Sequence, residues 1–344
     1  MKNCWKFFDA AAHEQLGDSP EFPAHGVRVK ASPVREVVRD GAFFWKRDRR
    51  GGHHLRGEWR AARLVRANSL PCVDYLALGR TPEGNVIVTA ALPDAESAAD
   101  YWQREIVERG GSPEPFLTAL SAFVRKMLAS GLFHPDFHLG NLLYRKEFCD
   151  FTLVDVAGVR RAGFLDRRFR RYRMERILLE CRRPLDDAAL AGWIARCGIG
   201  HPEEFLQNGL LREARALDAE WPKRKRQILT AYPKFCERGD DGTLYALTPY
   251  RTRRPTAACE AVGGSPERLR ALFLAHFHLD LAQLEHRNVV AWESGSGRLL
   301  LEPANARPIP AGRMERFAAV RRAARNAEHD AGLLDADAEL LERM

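Results

Sequence analysis

Apolar and polar positions in the first ninety residues follow the short β-branched and aromatic runs that are typical of strands. Such runs recur over residues 26–47, where Asp40-Gly41 supplies a hairpin turn. A helical spacing of apolar residues then covers Leu55–Ala67, and two more strands are predicted at Tyr75–Leu78 and Val86–Thr89. The pattern predicts a small antiparallel sheet with one inserted helix.

The chain beyond Asp100 has a predominantly helical pattern. One helix is predicted from the capping pair Ser112-Pro113 to about Ser130, where Gly131 ends it. Helices resume from about residue 165 and continue to about residue 234. The other predicted features are helix breaks at Pro184, Gly198–Gly200 and Pro222, hairpins at 239–250 and 289–301, a helix at 265–286 and a helical tail from Arg313.

The composition is that of a globular protein, with 45% hydrophobic and 29% charged residues among 344. The chain contains no apolar run of about eighteen residues, which argues against a transmembrane helix. The apolar stretch within Met1–Phe8 is too short for the core of a secretory signal. The cysteines are scattered without C-x-x-C spacing, which favours a reduced cytosolic compartment over a disulfide framework. They are Cys4, Cys72, Cys149, Cys181, Cys197, Cys236 and Cys259.

The formal net charge is +8, and a basic surface attracts nucleic acid, an anionic membrane or a phosphorylated substrate. Much of the excess lies in the arginine-rich segment 160–183, which is either a solvated helix face or a ridge facing an anion. Phe169 and Tyr172 interrupt this segment, but no nucleic-acid-binding motif accompanies it. Nucleic acid is therefore not expected as a partner.

The stretch from His134 to Tyr144 carries the most specific chemical pattern in the chain. Asp136 and Asn141 are five residues apart, and the apolar run Phe151–Val154 then leads to Asp155. A kinase-type catalytic loop needs this set: a carboxylate facing the acceptor hydroxyl, an Asn for a metal, and a second carboxylate for Mg²⁺ on the nucleotide phosphates. Mg²⁺ prefers oxygen ligands, which Asn and Asp supply.

A rival interpretation takes His134, Asp136 and His138 as ligands of a transition metal. It leaves the positions of Asn141 and Asp155 unexplained. A third interpretation gives the two histidines only the role of bracing a loop by hydrogen bonds, which is compatible with the kinase pattern.

A second signal lies upstream of this loop. A phosphotransferase needs a strand lysine that reaches the α- and β-phosphates and a helix carboxylate that holds that lysine. Lys46 ends the run Phe43-Phe44-Trp45, and Glu58 is the only carboxylate in the helix that follows. These two residues are the candidates for that pair.

These segments together resemble the Kdo/WaaP lipopolysaccharide kinase family, whose members phosphorylate Kdo or heptose of the lipopolysaccharide inner core. The resemblance covers residues 26–185 and rests on the segments 34–46, 57–64, 86–91 and 134–161. It implies an α+β, two-lobed protein-kinase-like fold with a small antiparallel β N-lobe containing one helix and a larger, mostly helical C-lobe. The implied domains are an N-terminal extension at 1–25, the N-lobe at 26–92, the C-lobe with the catalytic loop at 93–235 and a C-terminal extension of unknown role at 236–344.

The resemblance also implies a function: transfer of the γ-phosphate of ATP, with Mg²⁺, to a sugar hydroxyl. Asp136 is then the catalytic base, Lys46 with its partner Glu58 contacts the phosphates, and Asn141 and Asp155 bind the metal. A hinge at residues 89–92 would hold adenine through backbone groups, with Thr89 and Ala91 as the cofactor-binding residues. The implied partner is a lipid-linked anionic sugar, reached from the cytoplasm by a protein peripheral to the inner face of the inner membrane.

Three departures separate this chain from protein kinases. The first strands carry no G-x-G-x-x-G, Pro135 stands where the H-R-D motif has Arg, and Asp155 is followed by Val-Ala-Gly. His138 and the Gly140-Asn141 pair also resemble small-molecule kinases such as aminoglycoside phosphotransferases. An aminoglycoside-type kinase and a non-catalytic kinase-like binding module therefore remain as alternatives.

Overall fold

A computed structural model of the chain describes most of its length and divides it into two compact units. The first unit comprises residues 1–177 and 196–198, and the second comprises residues 178–195 and 199–344. The described residues are 4–32, 34–49, 51–164, 174–233, 235–248, 251–252, 255–256, 258–282, 284, 288–303, 316–318, 320 and 331–342.

The first unit begins with a six-stranded antiparallel sheet in the order β1-β5-β6-β4-β3-β2. Its strands are β1 (Cys4–Phe7), β2 (Val27–Ala31), β3 (Arg35–Asp40), β4 (Phe43–Asp48), β5 (Tyr75–Thr81) and β6 (Gly84–Ala90). Helix α1 (Ala10–Leu16) follows β1, and helix α2 (His53–Ala67) lies between β4 and β5 in the chain. The strands, the inserted helix and the Asp40-Gly41 turn predicted from the sequence are confirmed.

Residues 1–25, which were predicted as an N-terminal extension, contribute a strand to the sheet of the N-lobe. Strand β1 pairs with β5, with Trp5 opposite Gly79. The Trp5 ring fills the space that a side chain at position 79 would need, because a Cβ there would lie 2.3 Å from the indole. Trp5 also meets Trp45 edge to face at 6.4 Å, so the N-terminal strand is part of the sheet's hydrophobic core.

The remainder of the first unit combines helices with short strands. A π-helical turn at Trp102–Glu108 follows the first of these helices, and a 3₁₀ turn at Leu139–Asn141 lies within residues 134–144, the predicted catalytic loop. The labelled elements are β7 (Glu96–Ser97), α3 (Ala98–Tyr101), α4 (Glu114–Ala129), β8 (Leu132–Phe133), β9 (Leu142–Arg145), β10 (Asp150–Leu153) and β11 (Arg160–Arg161). Strands β9 and β10 form an antiparallel hairpin, and β8 pairs with β11, so that both ends of the catalytic loop are fixed by strands.

The second unit has its own sheet and its own core. Its helices are α5 (Asp187–Arg196, of which Arg196 belongs to the first unit), α6 (Pro202–Leu229), α7 (Pro266–Leu281) and α8 (Ala331–Glu342). Its strands are β12 (Cys236–Arg238), β13 (Leu244–Thr248), β14 (Arg251–Thr252), β15 (Glu260–Gly263), β16 (Val289–Glu293) and β17 (Arg298–Leu301), and they pair in the order β12-β13-β16-β17-β15 with β14 beside β13. The hairpin predicted at 289–301 is confirmed, and the helix predicted at 265–286 is observed from Pro266 to Leu281. In place of a hairpin at 239–250, residues 239–243 form the turn between β12 and β13. Residues 249, 250, 285 and 286 lie outside the described residues.

Two expectations about this region are wrong. Pro222 does not break a helix but lies inside α6, where the neighbouring Trp221 is buried in the core and holds the helix in place. Residue 236 is not a boundary between compact units either. Trp221 and Ile228 on α6 share one hydrophobic core with Phe273 on α7 and Leu299 on β17, so residues 236–344 complete a core that begins before them.

None of the described helices is both long enough and apolar enough to cross a bilayer. Half of the arginines in the segment 160–183, namely Arg167, Arg168, Arg170, Arg171 and Arg173, lie outside the described residues, as do Phe169 and Tyr172. The proposed ridge facing an anion is therefore described only at its two ends.

Candidate active site

The side chains of Lys46 and Glu58 form a buried ion pair. Lys46 lies on β4, a central strand between β3 and β6, and its Nζ donates to Glu58 at 3.0 Å to Oε1 and 2.8 Å to Oε2. Glu58 is 2% exposed and lies on the buried face of α2, together with Leu55 and Trp59. The contact that sequence reasoning expected between these two residues is present.

The start of helix α2 is fixed by Gly52, which has a left-handed backbone with φ of 68°. The left-handed backbone favours glycine here, and a Cβ at this position would also lie 2.3 Å from the Asn85 side chain on β6. Helix α2 begins at the next residue, and Glu58 lies on its second turn.

A third side chain, Tyr75, also forms a hydrogen bond with Glu58. The Tyr75 hydroxyl donates to Glu58 Oε1 at 2.9 Å, and the ring is 3% exposed at the start of β5. Burial, followed by the nearby Glu58 carboxylate, raises the pKa of Tyr75 well above its ordinary value, so the hydroxyl stays protonated and keeps donating. Sequence reasoning missed this residue, because a tyrosine that begins a strand carries no signal for a polar role.

Asp155 meets the same lysine from a different part of the chain. Its Oδ1 lies 3.3 Å from Lys46 Nζ, and its backbone has a φ of 48°. A positive φ at a non-glycine residue is strained and is concentrated at functional sites, and Asp tolerates it better than most residues do. The turn directs the carboxylate, which is 45% exposed, toward the lysine.

The charges of this trio reinforce one another. Burial disfavours the charged amine of Lys46, but the carboxylates of Glu58 and Asp155 outweigh it and raise the pKa of the amine. Burial also opposes the charge on Asp155, but Lys46 outweighs it and lowers the pKa of that carboxyl. Lys46 and Asp155 are therefore both ionised at neutral pH, and their opposite charges keep the three side chains in contact.

The predicted catalytic loop is organised around Asp136 and Asn141. The amide nitrogen of Asn141 donates to the carbonyl of Asp136 at 2.8 Å, so the amide oxygen is the side-chain atom that this bond does not use. The backbone of the same asparagine accepts from the N–H of Val154 at 3.0 Å. This bond joins the loop to the segment that carries Asp155, so the two proposed metal ligands are connected through one backbone contact.

The two histidines of the loop have different environments. His134 is 2% exposed, and its Nδ1 accepts the backbone N–H of Asp136 at 3.2 Å. His138 Nε2 lies 3.3 Å from Asp136 Oδ2. Burial is the main cause that lowers the pKa of His138, with Asp136 opposing and Arg176 adding to the lowering. His134 braces the loop through the backbone, as the third interpretation of the sequence supposed.

No cluster of three or more His, Cys, Asp or Glu side chains suited to a metal ion occurs among the described residues. The rival transition-metal site at His134, Asp136 and His138 therefore has no geometric support. One of the two His134 ring nitrogens is also already used inside the loop. A magnesium site with two protein ligands remains compatible, since Mg²⁺ completes its shell with water and phosphate oxygens.

Arg176 is a residue near Asp136 that sequence reasoning could not single out. Its Nη1 lies 3.3 Å from Asp136 Oδ1, on the opposite side of the carboxylate from His138. The two residues are forty positions apart, and Arg176 was one of ten arginines in a single segment. Only the folded backbone identifies which of them reaches the loop.

The adenine-binding role expected of Ala91 stays a prediction. The backbone N–H of Ala91 donates to the carbonyl of Ala42 at 2.7 Å, and that of Ala90 donates to the carbonyl of Asp74 at 2.8 Å. Both amides are therefore used inside the first unit, which leaves the carbonyl groups of this segment for contact with a nucleotide. Thr89 is paired across the sheet with Phe44 and Tyr75, and no described contact joins it to Lys46, Asp136 or Asp155.

Neither a protein-family model nor a curated protein matches this chain. The functional interpretation thus rests on the residues and the geometry described above.

Proposed function

We propose that this protein is an ATP- and Mg²⁺-dependent phosphotransferase that moves the γ-phosphate to a sugar hydroxyl, with Kdo or heptose of the lipopolysaccharide inner core as the acceptor. The observation that carries the proposal is the contact of Lys46 Nζ with both Glu58 and Asp155. In protein kinases the corresponding lysine–glutamate pair and the metal-binding aspartate must both be in place for transfer.

The arrangement of the elements supports a two-lobed, kinase-like fold. Leaving aside β1, Lys46 lies on the third strand along the chain, and the helix that follows this strand supplies Glu58. The β9–β10 hairpin then separates the catalytic loop from Asp155. This order of strand lysine, helix glutamate, loop aspartate, asparagine and second aspartate is the order of the kinase parts.

The donor set suits a magnesium nucleotide. The amide oxygen of Asn141 and the half-exposed carboxylate of Asp155 would hold the metal, and Lys46 would hold the phosphates. When bound, Mg²⁺ neutralises charge that develops between the β- and γ-phosphates. Lys46 keeps its charge because two carboxylates raise its pKa, so the amine stays suited to phosphate.

Asp136 would orient the acceptor hydroxyl and accept its proton. Its two carboxylate oxygens have different partners: Oδ1 contacts Arg176, and Oδ2 contacts His138 and Asn141. A carboxylate held at both oxygens presents its remaining lone pairs in fixed directions, which is the positioning that phosphoryl transfer asks of the protein.

The charge around the loop favours an anionic acceptor over a cationic one. Arg160 and Arg161 are exposed on β11, which pairs with Leu132–Phe133 immediately before the catalytic loop. Together with Arg176, which contacts Asp136, they add three positive charges near the loop, which would repel an aminoglycoside and attract an acidic sugar or an anionic membrane surface. A cytoplasmic protein peripheral to the inner membrane would meet a lipid-linked acceptor there.

The experiment that tests the proposal is a phosphotransfer screen with purified protein and γ-labelled ATP. Lipid-linked inner-core sugars and soluble aminoglycosides serve as competing acceptor sets, and Asp155→Ala is the inactive control. Glu147→Ala, which changes an exposed carboxylate on the β9–β10 turn, is the matched control and should keep the wild-type rate. Label on core sugar alone supports the proposal, label on aminoglycosides selects the alternative, and no label on either overturns the activity.

A further inference from the structure

One buried hydroxyl joins two parts of the site that are far apart in the chain. Tyr75 donates to Glu58 Oε1 at 2.9 Å. The backbone of Val156, the residue that follows Asp155, lies near enough to the same hydroxyl to lower its pKa, against the larger rise that burial causes. The side chain thus contacts the lysine–glutamate pair directly and lies beside the backbone that follows the metal-binding aspartate.

The backbone next to Tyr75 repeats this connection. Val73 donates to the carbonyl of Leu153 at 3.0 Å, and Leu153 donates to the carbonyl of Pro71 at 2.9 Å. Cys72 and Leu153 form a parallel bridge between the two segments. Residues 71–73 therefore pair with Leu153, so the segment that leads into Tyr75 is bonded to the segment that leads into Asp155.

We propose that Tyr75 is a positioning residue that couples the Lys46–Glu58 pair to the Asp155 segment, so that helix α2 and the metal ligand adopt their working positions together. This inference rests on the proposed function of the site. It goes further by naming the side chain that links the Lys46–Glu58 pair to the Asp155 segment. Tyr75 does not contact the nucleotide and acts through Glu58 and the backbone segment that leads to Asp155.

The Tyr75 hydroxyl lies where its loss acts on the proposed machinery. Glu58 and Tyr75 are both nearly fully buried, so removing the hydroxyl leaves a buried carboxylate oxygen short of one partner. That oxygen belongs to the residue that holds Lys46. The loss therefore falls on the proposed site rather than on a remote part of the core.

The test compares Tyr75→Phe with Tyr144→Phe, which also removes one buried hydroxyl but lies on β9 and touches neither Glu58 nor Val156 by any described contact. The first readout is binding of a fluorescent ATP analogue with and without Mg²⁺. We expect Tyr75→Phe to weaken Mg²⁺-dependent binding about tenfold, the size of one buried hydrogen bond, and Tyr144→Phe to leave it unchanged. Equal affinity in Tyr75→Phe and the wild type overturns the proposal.

The second readout needs no nucleotide and separates this proposal from the proposed function. Amide hydrogen exchange should rise in both α2 and residues 150–158 in Tyr75→Phe, and should rise in residues 150–158 when Glu58→Gln alone is made. If the wild type binds no nucleotide but this coupled exchange is observed, the kinase assignment fails and the coupling stands. Unchanged exchange at residues 150–158 in Glu58→Gln, whether or not Tyr75→Phe folds, contradicts the coupling.

Discussion

Lys46 and Asp155 are 109 positions apart in the chain, and their Nζ and Oδ1 atoms lie 3.3 Å apart. The lysine has a second carboxylate partner, Glu58, which lies on helix α2. A buried lysine with two anionic partners is expensive to assemble, because each charge must be taken out of water. A site that keeps this arrangement while leaving Asp155 half-exposed is suited to binding a further charged group.

Replacing Lys46 with Met should abolish phosphotransfer while leaving the protein folded. The variant removes the positive charge expected to hold the phosphates, and we expect a loss of about 10²- to 10³-fold in kcat/KM. Lys126→Met, which changes an exposed lysine on α4, is the control and should retain full activity. The measurement is the rate of ATP-dependent labelling; equal rates in the two variants would remove Lys46 from the mechanism.

Asp136→Asn should reduce turnover by about 10²- to 10⁴-fold, the range for loss of a general base, without weakening ATP binding. The amide keeps the shape of the side chain and can still lie between Arg176 and Asn141. Single-turnover rates measured beside nucleotide affinity distinguish the two effects. A variant that loses affinity but keeps its rate would show that Asp136 binds nucleotide and does not activate the acceptor.

Arg176→Ala should lower kcat by about fivefold, because a half-exposed ion pair contributes at most about 1 kcal/mol, and should leave KM for ATP unchanged. Arg176→Lys keeps the charge and should restore much of the rate. Arg80→Ala removes an exposed arginine from β5 and serves as the control. An increase in KM for ATP would mean that Arg176 meets the nucleotide instead of orienting Asp136.

The buried position of His138 predicts that the free energy of unfolding depends on pH. Burial lowers its folded-state pKa below the ordinary 6.5, so the unfolded chain binds more protons than the folded one as the pH falls through that value. Stability that is present above the unfolded pKa is therefore lost toward acid pH. The wild type should lose more unfolding free energy than His138→Gln between about pH 7.5 and pH 5, as urea denaturation would measure. A parallel loss in both proteins would show that His138 does not titrate in this way.

The parts of the fold that follow from local pattern were predictable from the sequence. Strands β3 to β6, helix α2 and the Asp40-Gly41 turn have strong periodicity or turn chemistry, and each forms where the pattern indicates. Lys46 and Glu58 could be paired in advance because a single carboxylate lies in the helix that follows the strand.

Features that depend on contacts between distant residues could not be predicted. Strand β1 forms because Trp5 meets Gly79 and Trp45, and its own sequence is too short to indicate a strand. Pro222 remains inside α6 because tertiary packing around Trp221 overrides the local preference for a break. The hydrogen bond from the Ala91 N–H to the Ala42 carbonyl likewise depends on the folded backbone alone, and so does the approach of Arg176 to Asp136.

Calorimetric titration of ATP into the wild type and Asp155→Ala, each with and without Mg²⁺, measures whether Asp155 holds the metal of a bound nucleotide. We expect the wild type to bind ATP more tightly with Mg²⁺ than without it, and Asp155→Ala to lose this Mg²⁺-dependent gain. Absence of ATP binding in the wild type, or an identical gain in Asp155→Ala, would contradict the proposed function.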